Sequence, residues 1–312
     1  MERKCGEGHS SSERQLETML SMVPAWQGKD IYYRPIFGGF SNSNWHIRIG
    51  GERQTFFLKM PGPGTEKFID RSASLEAGRR AHLLGIGPRT YDDLSDRGVE
   101  ICDFVERSRP CTTRDFHSAE IRTRTIKLFR TFNDSAPLGL TKTLFDMIEE
   151  HIIQLRELGG VFSHDFPAIH AQYLSARAAL EASGLDIVPC YNDPAPANFL
   201  LTEDGRIVIV DLEYASNNDR CCDLATWCGE MVLSDAMQDE AIECYFGRVE
   251  ASIRARMLVY QMLGDLKWSL WCMIQNITSS IDFDFYKYGA WKQMRLRSTL
   301  RNPYWDRALM SL

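Results

Sequence analysis

A chain of 312 residues, 44% hydrophobic and 25% charged, is long enough for one large domain or two packed lobes and can bury a sizeable core. Its formal net charge of -6, with arginines scattered among acids, argues against the clustered cationic surface that nucleic-acid phosphates require. No apolar run of bilayer-spanning length is present, and the polar start MERKCGEGHSSSERQ lacks the apolar core of a signal peptide, so a cytoplasmic protein without membrane insertion is expected.

The nine cysteines form no CxxC pair and mostly lie inside apolar runs, which reads as reduced packing residues rather than a disulfide framework. Cys221, Cys222 and Cys228 are the nearest thing to a metal group, but an adjacent pair suits tetrahedral zinc poorly and no His follows at ligand spacing.

In chain order, residues 1–14 are polar and expected to fray. A helical pattern follows around Leu16–Met22, stopped by Pro24. From Ile31 to Met60 the texture turns to β: IYYRPIF, then WHIRI after the small-residue stretch GGFSNSN, then QTFFLKM after the turn Gly50–Gly51. Residues 72–85 read as a helix, with Ser72 to cap the start and Gly85 to end it. Two further strands are expected at Arg89–Leu94 and Val99–Val105, parted by a turn at 95–98. The first hundred residues thus predict a small sheet carrying one helix.

Beyond Arg107 the pattern is mainly helical, with amphipathic segments at Arg114–Asn133, Lys142–Leu158 and Ala168–Ser183. A short strand, a Pro-rich loop and the hairpin FLLTEDGRIVIVDLE, turning at Asp204–Gly205, then interrupt the helices. From Asp223 onward the chain is helical again and rich in Trp and Tyr.

The interruption, YNDPAPANFLLTEDGRIVIVDLEYA, carries the chemistry. Asp193 and Asn198 share one loop, and Asp211 ends an apolar strand that the hairpin returns toward it. Carboxylates are costly in such a setting unless a cation or a reacting group answers them. This spacing resembles the catalytic loop and metal-binding Asp of the protein-kinase-like phosphotransferases, where the first Asp orients the substrate hydroxyl and the Asn and second Asp hold magnesium against nucleotide phosphates. A Pro-Asn turn with Asp as a hairpin cap accounts for the same residues by themselves. The stretch FGGFSNSNW, with Gly38, Gly39, Ser41, Asn42, Ser43 and Asn44, offers backbone amides that can approach phosphate closely, although a ligand-free Gly-Gly hairpin is common. Lys59 on the third strand and Glu76 on the next helix are ordinary surface charges singly. In this order, with the loop and Asp211, they resemble a complete kinase site.

The resemblance narrows to the choline and ethanolamine kinase family, including its bacterial branch. GTEKFIDRSASLE (64–76), GIGPRTYDDL (85–94), CYNDPAPANFLL (190–201) and VDLEYASNNDRCCDLATWCGE (210–230) are similar to that family's signatures, and the similarity runs from about Phe37 to Tyr288. Tyr191 stands where the family usually has His, Lys59 where many members have Arg, and Ala197 and Met231 replace larger or charged residues. The resemblance implies an α+β, two-lobed protein-kinase-like fold: a small N-terminal antiparallel β lobe with one helix (1–106), and a large, mainly helical C-terminal lobe (107–312). It implies ATP and Mg2+ as cofactors, with Asn198 and Asp211 as metal ligands, Asp193 at the acceptor hydroxyl, Lys59 steadied by Glu76 on the phosphates, and adenine against a hinge at Asp103, Phe104 and Val105. Asp223 would brace the catalytic loop, and Glu213 would serve as a helper acid.

Tyr214, Glu230, Trp268, Trp271 and Tyr288 match family positions that line a cationic head-group pocket, where aromatic faces attract an ammonium and Glu230 supplies the opposite charge. Two Trp at helical spacing are otherwise core. The implied activity is phosphorylation of a small amino alcohol, choline first and ethanolamine next, in a monomer or homodimer. Thiamine and aminoglycoside kinases are rivals with the same chemistry, and a catalytically inactive kinase-like ligand-binding protein is a rival of another class.

Overall fold

In a computed structural model, which describes residues 2–39, 42–62 and 64–312, the chain divides into two compact units, Met1–Arg109 with Leu200–Tyr214, and Pro110–Phe199 with Ala215–Leu312. Residues 200–214 belong with the first unit although they follow a long stretch of the second. Two main-chain bonds show why: Ile209 N donates to the Ile86 carbonyl at 2.8 Å and Glu203 N to the Arg107 carbonyl at 2.9 Å.

The first unit is built on a six-stranded sheet of order β1-β2-β3-β4-β6-β5, antiparallel throughout, from β1 (Arg3–Lys4), β2 (Ile31–Ile36), β3 (Asn42–Ile49), β4 (Thr55–Pro61), β5 (Thr90–Tyr91) and β6 (Glu100–Asp103). Alternation sets its inner face: Tyr33, Trp45, Ile47, Ile49, Leu58 and Ile101 are buried and pack with Leu16, Leu20 and Trp26. Those last three come from helix α1 (Ser11–Leu20) and the turn after it. The helix begins earlier than periodicity suggests because Ser10 and Glu13 close a reciprocal capping box: Ser10 Oγ accepts from Glu13 N at 3.1 Å, and Glu13 accepts from Ser10 N at 2.8 Å. Residues Arg3 and Lys4, expected to fray, pair with Tyr33 and Tyr32. A two-residue polar edge strand leaves no periodic signal.

Helix α2 (Arg71–Leu83) is capped by Asp70 rather than Ser72, the Asp70 carboxylate accepting from the amides of Ser72 and Ala73, each at 3.0 Å. A second sheet has the order β10-β9-β7, from β7 (Ser108–Pro110), β9 (Phe199–Thr202) and β10 (Ile207–Ile209).

The second unit is mainly helical: α3 (Ala119–Asn133), α4 (Leu144–Glu157), α5 (Phe166–Ser183), α6 (Arg220–Glu230), α7 (Asp235–Phe246), α8 (Ala251–Thr278), α9 (Phe285–Leu300) and α10 (Trp305–Met310). Helix α8 is its axis, packing against α4, α6, α9 and α10. No helix among the described residues is long and apolar enough to cross a membrane.

Strand β8 (Ile187–Cys190) pairs with β11 (Ser216–Asp219). Sequence reading missed β11, whose four residues SNND are polar yet all buried. Their side chains hydrogen-bond to neighbouring backbone instead of alternating between core and solvent, so no period-two pattern marks them. Asn217, for instance, accepts from Leu138 N and donates to Leu138 O, at 2.9 and 2.8 Å.

Candidate active site

In the first unit the candidate residues gather around Lys59. It sits on β4, only 3% exposed, with its ammonium 2.7 Å from Asp211 and 3.5 Å from both Glu100 and Glu213. Burial pushes the lysine down, but Asp211, Glu213 and Glu100 together outweigh it and hold Lys59 well above its ordinary value, so it stays cationic. Glu213 accepts from Arg71 at 2.5 Å and from the Asn42 amide at 3.0 Å. Burial pushes its carboxyl up, while Lys59 and Arg71 more than offset that and hold it low.

The expected Lys59–Glu76 pair is replaced by these three. Glu76 on α2 lies 3.6 Å from Arg80 and is partly exposed. Arg71 and Glu100 escaped sequence reading. Arg71 stands inside the segment 64–76 that carries the family resemblance, but no spacing rule distinguishes it from its neighbours.

The small-residue loop is shorter than expected. Asn42, Ser43 and Asn44 open β3, opposite Pro61, Met60 and Lys59, so their backbone lies in the ladder and not in a turn. Gly38 and Gly39 have φ of 122° and 88°, values that favour glycine, and the Asn44 amide braces the Gly38 carbonyl at 3.1 Å. Ser41 lies outside the described residues.

At the expected hinge, Asp103 N donates to the Arg89 carbonyl at 2.8 Å and Phe104 N to the Thr55 carbonyl at 3.0 Å. The Asp103 side chain accepts from Tyr91 at 2.8 Å, and the Val105 carbonyl accepts from Ser108 at 2.6 Å. Tyr214, matched to the acceptor pocket by sequence, stacks at 4° on Phe68, 6.5 Å away, within this unit.

In the second unit β8 delivers the chain into the loop Tyr191–Asn198. Asp223, fully buried on α6, accepts from Tyr191 N and Asn192 N at 2.8 Å each and from the Asn133 amide at 3.1 Å, so it braces the loop's backbone. Tyr191 is buried against Phe199, with ring centres 6.0 Å apart, and Phe199 is wedged edge-on among Phe116 and Phe129, which also contact Trp227. Tyr thus fills by packing the position where the family usually has His. Between these clamps the Asn198 amide donates to the Asp193 carboxylate at 3.1 Å and to its carbonyl at 3.2 Å. Asn192 and Asp211 hold φ of 64° and 63°, left-handed values for non-glycine residues next to or at the candidate groups.

Trp268 and Trp271 on α8 meet edge-to-face at 5.5 Å, and Tyr288 and Phe285 of α9 join the same cluster. Tyr288 is close enough to Asp193 and Glu230 for their charges to act on it, although burial is the largest influence on its raised hydroxyl. The aromatic group therefore lies in the neighbourhood of Asp193. Glu230 differs from expectation. Its carboxylate is bonded to the buried Lys292 and lies 3.5 Å from Arg295, whose guanidinium also meets Asp265 at 3.1 Å. Its charge is answered inside the protein by Lys292 and Arg295. Lys267, which sequence reading passed over, is buried on α8 with its ammonium 3.0 Å from the centre of the Trp268 ring.

Within each unit the candidate donors are oxygens, the kind a hard divalent cation takes. Glu100, Asp211 and Glu213 face Lys59 and Arg71, and burial pushes the Glu100 and Asp211 carboxyls up although Lys59 pulls them down. Asn198 turns its amide nitrogen onto Asp193, so its oxygen is the end not used in those bonds. All are oxygen donors of the kind magnesium takes. Among the described residues no disulfide joins the cysteines, and no group of three or more His, Cys, Asp and Glu is placed to hold a metal ion by itself.

The sequence profile of a family described as Choline/ethanolamine kinase matches residues 33–246. Protein LicA of Haemophilus influenzae is 24% identical over 254 residues, covering 77% of this chain and 72% of that protein. A probable ethanolamine kinase of Arabidopsis thaliana is 23% identical over 294 residues, covering 76% and 72%. Among solved structures, a choline/ethanolamine kinase family protein from Mesorhizobium loti superposes with a TM-score of 0.79 at 24% identity, over 96% of this chain and 98% of that one. The fold is therefore α+β and protein-kinase-like, as the sequence implied.

Proposed function

Because the chain belongs to the choline/ethanolamine kinase family, and so is a small-molecule kinase, we propose that it transfers the γ-phosphoryl group of ATP to the hydroxyl of a small amino alcohol, with choline the first candidate and ethanolamine the second. The observation that carries this reading is the braced loop: Asp223 and the Phe199 cluster fix the Tyr191–Asn198 backbone, and Asn198 in turn holds the Asp193 carboxylate in place.

Asp193 would accept a hydrogen bond from the acceptor hydroxyl, aim its oxygen at the phosphorus and take the proton as the new P–O bond forms and the bond to ADP breaks. Lys59, held cationic by its carboxylates, would exchange one of them for the α and β phosphates, and Gly38 and Gly39 would let the backbone approach the nucleotide. Asp103 and Phe104 have spent their amides, which leaves the Asp103 carbonyl and the Val105 amide for adenine. Asn198 and Asp211 would hold magnesium. When bound, that ion neutralises the phosphate oxygens.

The aromatic group of Trp268, Trp271 and Tyr288 favours an ammonium head group over an aminoglycoside, which calls for carboxylates. The test is ADP release with Mg2+ and ATP across choline, ethanolamine, thiamine and an aminoglycoside. The proposal expects turnover with an amino alcohol and at least a thousandfold loss of kcat in Asp193→Asn at an unchanged melting temperature. Thermal stabilisation by these ligands without ADP formed under any metal would favour the inactive binder.

A further inference from the structure

Lys267 has no part in the chemistry above, yet its position bears on which acceptor enters. It follows Asp265 and Leu266 on α8, is 1% exposed, and places its ammonium 3.0 Å from the Trp268 ring centre. Trp271 meets that ring edge-on at 5.5 Å. A cation stacked on an aromatic face is the contact a quaternary ammonium makes. We propose that Lys267 is a specificity-determining residue that occupies the acceptor's own cation site, so that a quaternary ammonium enters only when Lys267 gives up its proton. The inference rests on the reading of Trp268 as acceptor-binding.

Charge bookkeeping in the second unit points the same way. Asp193 acts on Lys267, while Glu230 and Asp265 meet Lys292 and Arg295, and burial pushes the Asp265 carboxyl up to about 6. Loss of one proton from Lys267 makes the cluster one charge more negative, the direction that favours a monocationic acceptor. The groups that face Lys267 are Asp193 on the catalytic loop, Lys142 ahead of α4, His151 on α4, Cys222 on α6 and Cys272 on α8. Lys142 is itself paired with Glu150 at 2.6 Å. Burial, only partly countered by Asp193, brings Lys267 down to about 7. His151 is held neutral by burial and by the two lysines.

If only the deprotonated form accepts the ligand, apparent affinity scales with its fraction, which rises about tenfold between pH 6 and pH 8.5 for a group titrating near 7. The experiment is calorimetric titration of the full chain with tetramethylammonium, without nucleotide, at both pH values, for the native protein and Lys267→Met. The proposal expects about tenfold tighter binding at pH 8.5 than at pH 6 in the native protein. In Lys267→Met it expects the tenfold dependence to shrink to about the twofold that Asp265 alone contributes, with binding at pH 6 several-fold tighter than native. A flat native profile, a variant no tighter than native at pH 6, or no binding to either protein overturns it. If the variant does not fold, as read by its melting curve, the native profile decides alone. ADP release measured in parallel separates the two claims: tetramethylammonium binding with the expected profile but no turnover of any amino alcohol leaves the cation site standing and removes the kinase reading.

Discussion

Lys59 is buried among Glu100, Asp211 and Glu213, so removing its charge leaves three carboxylates without their shared cation. Lys59→Met should cost about 3–5 kcal/mol in urea unfolding as well as turnover; a variant as stable as the native protein would show that the pairs add little to the fold. Glu213 gives a pH signature. Its folded-state value is lowered, so its contribution is present above the unfolded value of about 4.3 and is lost as pH falls through the lower folded value. Glu213→Gln should melt lower at pH 7 and lose less on acidification from pH 5 to 3 than the native protein; parallel curves would contradict this.

Asp193, Asn198 and Asp211 stand out in the sequence as candidates because each lies in a short segment whose residue types mark it locally. Arg71, Glu100 and Lys267 do not, because each acquires meaning from a partner far along the chain. Glu76 shows the reverse: a residue in the right order that pairs within its own helix.

The loop Tyr191–Asn198 is held at its start by Asp223, to which no step of the proposed chemistry is assigned. Asp223 receives three N–H groups, two of them from the loop backbone. Asp223→Ala leaves those donors buried and unanswered, and should destabilise by about 2–4 kcal/mol with a fall in kcat, measured by unfolding and ADP release. Helices α8 and α9, which carry the aromatic group, approach closely at Gly289, where an added Cβ would lie 2.8 Å from Cys272 Cβ and 2.5 Å from Met273 Cε. The methionine end can move, the Cys272 Cβ cannot. Gly289→Ala should cost about 1–3 kcal/mol and raise the acceptor KM more than that for ATP; unchanged stability would mean the helices separate freely. Long elements were legible from periodicity. Strand β11 was not, because its SNND side chains work as backbone braces, and the capping box at Ser10–Glu13 placed α1 ahead of its apolar run.

At the scale of the molecule, similarity to one enzyme family extends through residues 33–246 and includes segments of both compact units. The excursion 200–214 carries Asp211 into the unit of Lys59, while Asp193 and Asn198 stay with the helices. The proposed chemistry gives Asn198 and Asp211 each a part in holding the metal. The direct measurement is the affinity for Mn2+ in the presence of ATP, followed by electron paramagnetic resonance, in the native protein, Asn198→Ala and Asp211→Asn. The account predicts at least tenfold weaker Mn2+ binding in each variant with ATP affinity in the absence of metal little changed; native-like Mn2+ binding in either variant would contradict it.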